Sequence, residues 1–272
     1  MNTPARLAVA TVPTRPAATT LIVRDGPSGL DVLMVKRSLQ ASFMPGAYVF
    51  PGGAVDTADG TPAALAACDE DPAALALRIG SVTGLGDQAG AYTVAALREC
   101  FEECGLWLGA PDAVTADWAA LRARLHAGAL LHDLAADAGA RLHTRCLQPW
   151  AHWITPAGVP KRFDTLFFVA LAPHGQLPSV DAGETTTLEW VHPTAALAAQ
   201  SRGDFQMEFA TVAVMRTLVP HATQTAQALL QHAAALQHIP AVLPRLLLDA
   251  HGHIRGALLP GQPGYDTAGV PA

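Results

Sequence analysis

Apolar positions in the first fifty residues fall in short runs of the kind strands use. Residues 19–23 (TTLIV) and 31–37 (DVLMVKR) flank Asp25-Gly26-Pro27-Ser28-Gly29. Turn chemistry between two such runs predicts a hairpin. A third short strand is expected over 47–50, stopped by Pro51-Gly52-Gly53. From 57 to about 90 the chain is rich in Ala, Asp and Gly, with one short helix expected near 72–79. The period then changes. Residues 91–104 contain no Gly or Pro and place Val94, Leu97, Phe101 and Cys104 at helical spacing, with Gly105 as a C-cap. Two Ala/Leu-rich helices are expected within 113–138, strands at 149–154, 165–171 and 186–191, and short helices from Pro193 and near Phe209. A Pro-punctuated segment from Ile239 wraps the domain. This irregular alternation predicts a mixed α/β (α+β) layer fold. Helix 91–104 is expected to pack against the strand ending at Phe50, with the excess residues 57–90 bulging from one side.

Composition narrows the class. Half of the 272 residues are hydrophobic and 15% are charged, as in a globular protein and unlike a disordered one. The formal charge of −6 gives no basic footprint for nucleic acid, so none is expected as a partner. No apolar stretch reaches 18 residues, and Pro13 and Pro16 interrupt the N-terminal one; no membrane association is expected. Residues 1–16 read as a tail. Cys68, Cys100, Cys104 and Cys146 form no Cys-x-x-Cys pair and read as buried free thiols. A cytoplasmic setting is expected. The eleven histidines show no ligand spacing.

The chemistry concentrates on one helix. Glu99, Glu102 and Glu103 stand at positions i, i+3 and i+4 and share a face. Three like charges there repel unless something positive sits among them. Arg98 lies one turn before Glu102 and can orient it with a charge-assisted hydrogen bond. One arginine cannot neutralise three carboxylates, whereas a hard divalent cation can. An isolated run of this kind is more often a solvated acidic face. Here it follows Phe50-Pro51-Gly52-Gly53, where two glycines permit a tight turn and close approach of backbone to a metal or phosphate.

The string from Arg98 to Leu106, taken with that turn, resembles the Nudix box, G-x5-E-x7-REUxEExGU with U a bulky apolar residue. Every fixed position of its second half is present, Cys100 filling the first U. The first half is stretched: 44 residues separate Gly53 from Arg98 where the pattern has 13, an excess of 31. Asp59 falls where the early Glu would by simple counting, and Asp56 is an equal candidate. An insertion at this point, together with Lys36-Arg37-Ser38, the run from Phe43 to Gly53, Trp153-Ile154-Thr155-Pro156, Arg162-Phe163-Asp164-Thr165 and Glu189-Trp190, is similar to the branch of the family that includes the peroxisomal coenzyme A diphosphatase of animals.

That resemblance implies an α/β/α sandwich around a mixed sheet, with the insertion (about 57–90) before the catalytic helix. The main domain would span 17–215, with a helical segment at about 113–138. Residues 216–272 would form a helical extension packed on it. It implies hydrolysis of a diphosphate linkage with Mg²⁺ or Mn²⁺. Glu102 and Glu103 would be metal ligands, the Gly53 carbonyl a third, Glu99 a ligand or base, and Arg98 the residue orienting Glu102. A later-loop carboxylate is expected at Glu184, with Glu189 and Glu208 behind it. Arg37, Lys161 and Arg162 are candidates for distal phosphates, and Trp150, Trp153 and Phe163 for stacking. The partner is a small-molecule diphosphate, first coenzyme A or an acyl-coenzyme A, alternatively ADP-ribose or a dinucleotide. A catalytically silent ligand-binding regulator is the rival of another class, and a homodimer stays open.

Overall fold

Side-chain alternation in three long strands divides the molecule into two cores. The computed structural model describes residues 12–40, 45–109, 116–180, 185–249, 253–266 and 268. Its strands are β1 (Arg15–Gly26), β2 (Gly29–Arg37), β3 (Tyr48–Val49), β4 (Gly52–Ala54), β5 (Gln148–Ile154), β6 (Phe163–Leu171), β7 (Thr185–Val191), β8 (Ala241–Val242), β9 (Arg245–Leu248) and β10 (Ile254–Leu258). The helices are α1 (Pro62–Ala66), α2 (Pro72–Leu75), α3 (Ser81–Thr83), α4 (Ala89–Cys104), α5 (Trp118–His126), α6 (Leu131–Asp137), α7 (Pro193–Arg202), α8 (Phe209–Leu218) and α9 (Ala226–Ala234).

The expected hairpin forms from β1 and β2, closed where Gly26 pairs with Gly29. The main sheet runs β3-β2-β1-β6-β5-β8, with β7 also on β2 and β4 also on β1. The β1–β6 pair is parallel over nine residues, so the sheet is mixed. Ala18 and Ile22 of β1, Leu33 and Val35 of β2, and Leu166 and Phe168 of β6 enter one core, together with α4. The intervening residues Leu21, Val23, Val32, Met34, Phe167 and Val169 enter the other, beneath α7, α8 and α9. This is the period-2 rule of a sheet covered on both faces. The result is the α/β/α sandwich.

Two expectations are overturned. Pro51-Gly52-Gly53 does not simply stop a strand, because Gly52–Ala54 continues as β4, antiparallel to β1 at Thr19, Ala18 and Ala17. Helix α4 therefore packs on β1 and β4, while Phe50 lies in the opposite core. Nor do residues 57–90 bulge outward. Ala64, Cys68, Leu75 and Ile79 are buried in the same core as α4. Arg78 ties the segment to the rest of the chain, bonding Glu70 and the carbonyls of Thr144 and Leu147. The reason is visible in α4 itself: apolar residues occupy nearly its whole circumference, and such a helix needs cover on every side. The sheet covers one side, and the 57–90 segment and α5 pack on others.

Beyond residue 216, Ala226 and Leu229 of α9 enter the second core, and β8 extends the sheet beside β5. None of the described helices is long and apolar enough to cross a membrane. Truncating Leu75 or Ile79 to Ala should cost about 2–5 kcal/mol of stability, whereas Leu77→Ala, at a side chain 71% exposed, should change it by less than about 0.5 kcal/mol. Urea midpoints would read the difference. A loss under about 1 kcal/mol at both buried sites would mean the segment is an appendage after all.

Candidate active site

The site is built around one buried guanidinium. Arg98 has five N–H donors, and each has a partner. Its Nε donates to Asp59 (3.0 Å), Nη1 to Glu99 (2.9 Å) and Glu102 (2.6 Å), and Nη2 to the Ala54 carbonyl (2.7 Å) and Asp59 (3.0 Å). Fixed fork geometry and permanent charge make arginine the residue for such a task. The geometry separates the two early acidic candidates. Asp59 is 2% exposed and also accepts the Asp56 N–H at 2.8 Å, holding the 3₁₀ turn Thr57–Gly60 against α4. Asp56 has a side chain 66% exposed and stands 3.8 Å from the guanidinium.

Glu103 reaches across to β4, its Oε2 accepting the Gly52 N–H at 2.9 Å. Glu99 lies over Gly53 so closely that an added Cβ there would stand 2.4 Å from Glu99 Oε1. Gly53 thus makes room for a carboxylate. Burial pushes Glu99 up to about 7, with the Arg98 charge opposing and the Glu102 charge reinforcing. If Asp59, Glu99, Glu102 and Glu103 all ionise, four negative charges face the single positive charge of Arg98.

The donors are oxygens of the kind Mg²⁺ and Mn²⁺ prefer. Among the described residues, however, no three acidic, His or Cys side chains converge as a ready cage. Arg98 Nη1 gathers Glu99 and Glu102 to itself, while the Gly52 N–H holds Glu103 toward β4. The set fits a hard cation in chemistry and would have to turn toward it.

A residue that sequence reasoning missed supports the C-terminal end of this helix. Arg122 of α5, buried, donates from Nε and Nη2 to the Glu102 carbonyl (2.9 and 2.6 Å) and from Nη1 to the Ser179 carbonyl (3.0 Å). A cation at a helix C-terminus is favourable, and this one also fastens the segment that precedes Asp181-Ala182-Gly183-Glu184. Nothing in the spacing of Arg122 pointed to it. Glu184 lies outside the described residues, as do Phe43 and Met44. Of its alternatives, Glu189 accepts a hydrogen bond from Tyr48 (2.6 Å), and Glu208 is pushed up by burial against the opposing charge of Arg37.

The expected phosphate-binding cations are not gathered in one place. Arg162 is committed to the carbonyls of Thr155 (3.0 Å) and Val12 (2.9 Å), tying the residues just before β1 to the β5–β6 turn. Lys161 is exposed on that turn, and Arg37 closes β2. Trp153 is packed in the second core, Trp150 lies at its margin, and Phe163 starts β6.

No protein-family model matches the chain. It is 25% identical over 213 residues to the acyl-coenzyme A diphosphatase NUDT19 of Xenopus laevis, covering 64% of this chain and 56% of that one. To the putative nudix hydrolase 7 of Caenorhabditis elegans it is 29% identical over 170 residues, covering 60% and 46%. It spans about half the length of these curated relatives. The human NUDT19 aligns more extensively, 26% identical over 289 residues, covering 92% of this chain and 76% of the other. Among solved structures, a NUDIX hydrolase from Alicyclobacillus acidocaldarius superposes with a TM-score of 0.66 at 28% identity, covering 82% of this chain and 97% of that one.

Sheet, helix and carboxylate face are those of a Nudix-type fold, and in sequence and structure the chain is similar to Nudix hydrolases. Among these it is similar, at low identity, to acyl-coenzyme A diphosphatases.

Removing Asp59 should be far costlier than removing Asp56. We expect Asp59→Ala to lose about 3–5 kcal/mol, because it strips a partner from a buried guanidinium, and Asp56→Ala at most about 1 kcal/mol. Equal denaturation midpoints for the two variants would contradict the assignment of Asp59 as the inner partner of Arg98.

Proposed function

We propose that the chain hydrolyses a diphosphate linkage, with a divalent cation held at the carboxylate face of α4. The observation that carries this reading is the surplus of carboxylates around Arg98, set over a glycine that leaves them room. Glu99, Glu102, Glu103 and the Gly53 carbonyl would hold Mg²⁺ or Mn²⁺, which when bound supplies charge neutralisation and an acidified water. The rest is done by the chain. Asp59 fixes Arg98, and Arg98 fixes the Glu102 carboxylate. The Gly52 N–H fixes Glu103.

Glu99, as the alternative to a place in that shell, can take the proton from the attacking water. The water oxygen forms a bond to one phosphorus while the bridging P–O bond breaks, and the departing phosphate ester leaves with that electron pair. Glu184 is the candidate for a further carboxylate, on the segment next to the one Arg122 fastens. The silent-regulator reading has less support, because all three box glutamates are retained.

Replacing Glu102 or Glu103 by Gln keeps shape and removes charge, and should lower kcat on the order of 10²-fold or more. Chelation of divalent metal should abolish turnover. Full activity in EDTA would end this reading.

Coenzyme A or an acyl-coenzyme A is the first substrate proposed, cleaved to 3′,5′-ADP and a phosphopantetheine product. Support comes from the resemblance of the sequence to that branch and from relatives named as acyl-coenzyme A diphosphatases. Arg37, Lys161 and Arg162 are the candidates for a 3′-phosphate, and Arg162 also donates to the Thr155 and Val12 carbonyls. Dephospho-coenzyme A should then be a poorer substrate by about 1.5–3 kcal/mol in kcat/KM. Equal values for the two compounds would count against a dedicated coenzyme A site, and faster cleavage of ADP-ribose or NADH would transfer the assignment to dinucleotides.

A further inference from the structure

At the end of β5 away from Thr155 and Arg162, two histidines from different elements meet over a tryptophan. His221 ends the 3₁₀ turn Val219–His221 after α8, and His232 lies in α9. Their ring centroids are 4.6 Å apart with planes inclined at 45°, an angle between parallel stacking and an edge-to-face contact. Trp150 faces both, at 5.6 Å from His221 and 6.0 Å from His232, and its indole N–H is held by Thr217 Oγ1 at 2.7 Å.

Nδ1 of His221 stands 3.1 Å from the side-chain oxygen of Gln224, and in the tautomer that donates to this oxygen Nε2 keeps its lone pair. Donating one ring N–H to a carbonyl oxygen while the other nitrogen stays basic is the usual arrangement of a metal-ligating histidine. Separation fits as well. With metal–nitrogen bonds of about 2.0–2.1 Å, two imidazoles on one ion at right-angled to tetrahedral openings have centroids roughly 4.6–5.3 Å apart.

We infer that His221 and His232 form a chelating pair for a borderline d-block cation such as Ni²⁺, Cu²⁺ or Zn²⁺, with water completing the shell. No third His, Cys, Asp or Glu joins them among the described residues, so this is a two-nitrogen site, selective for imidazole-seeking ions. An ion there would clamp the α8–α9 junction to α9 and so brace the layer over the second core. It is separate from the oxygen site on α4, and the inference does not depend on the proposed hydrolysis.

Trp150 is a built-in reporter. Tag-free protein in excess Mg²⁺, which occupies oxygen ligands, is titrated with Cu²⁺ while tryptophan emission is followed, and with Ni²⁺ while the melting temperature is followed. The expected result is saturable quenching, most of it lost in Trp150→Phe, and a Ni²⁺-dependent rise in melting temperature. Both should disappear in His221→Ala and in His232→Ala, each checked by circular dichroism to be folded. Affinity should follow Cu²⁺ > Ni²⁺, with Mg²⁺ inert. Undiminished quenching in the double variant, or no quenching and no thermal shift in the parent, would overturn the inference.

Discussion

Everything at the candidate active site depends on how Arg98 is held. A guanidinium taken out of water is costly unless every donor is met, and here Asp59, Glu99, Glu102 and the Ala54 carbonyl meet all five. The same interaction sets three geometries at once. It closes the 3₁₀ turn carrying Asp59 onto α4, fixes the height of α4 above β4, and aims two carboxylates from the helix. Four acidic groups against one cation is an unstable composition in isolation. The imbalance is what gives the place its capacity to take up positive charge.

Much of this was legible in the chain. The apolar runs at 19–23 and 31–37 became β1 and β2, and the uninterrupted pattern at 91–104 became α4, within two residues at its start and none at its end. Those signals are local: side-chain period, Gly105 at a helix end, Pro193 at a helix start. The carboxylate face was legible for the same reason, since one helix carries all three glutamates.

What was not legible depends on distant partners. Asp56 and Asp59 are alike in sequence, and only burial beneath α4 separates them. Gly52–Ala54 reads as a turn because its pairing partner, Ala17 to Thr19, lies more than thirty residues away. Arg122 gave no signal, because its role is to meet the Glu102 and Ser179 carbonyls, which no side-chain pattern announces. His221 and His232 are eleven residues apart on separate elements, so no single helix or strand brings them together. The Ala-rich 57–90 segment was misread as an outgrowth because small residues look like surface. Against an apolar helix they allow close packing instead.

The two ends of that segment nearly touch: a methyl added at Gly60 would stand 3.2 Å from the Ala91 side chain. The box is therefore continuous in space while broken in the chain, so a search that counts residues between its halves will pass over it and a search by shape will not. Loop closure makes such length inexpensive, since lengthening a connection whose ends meet costs little chain entropy. With Leu75 and Ile79 buried in the same core as α4, the segment cannot be withdrawn without leaving an apolar helix face uncovered. A long connection here is cheap to hold and costly to lose, being part of what the helix needs in order to exist.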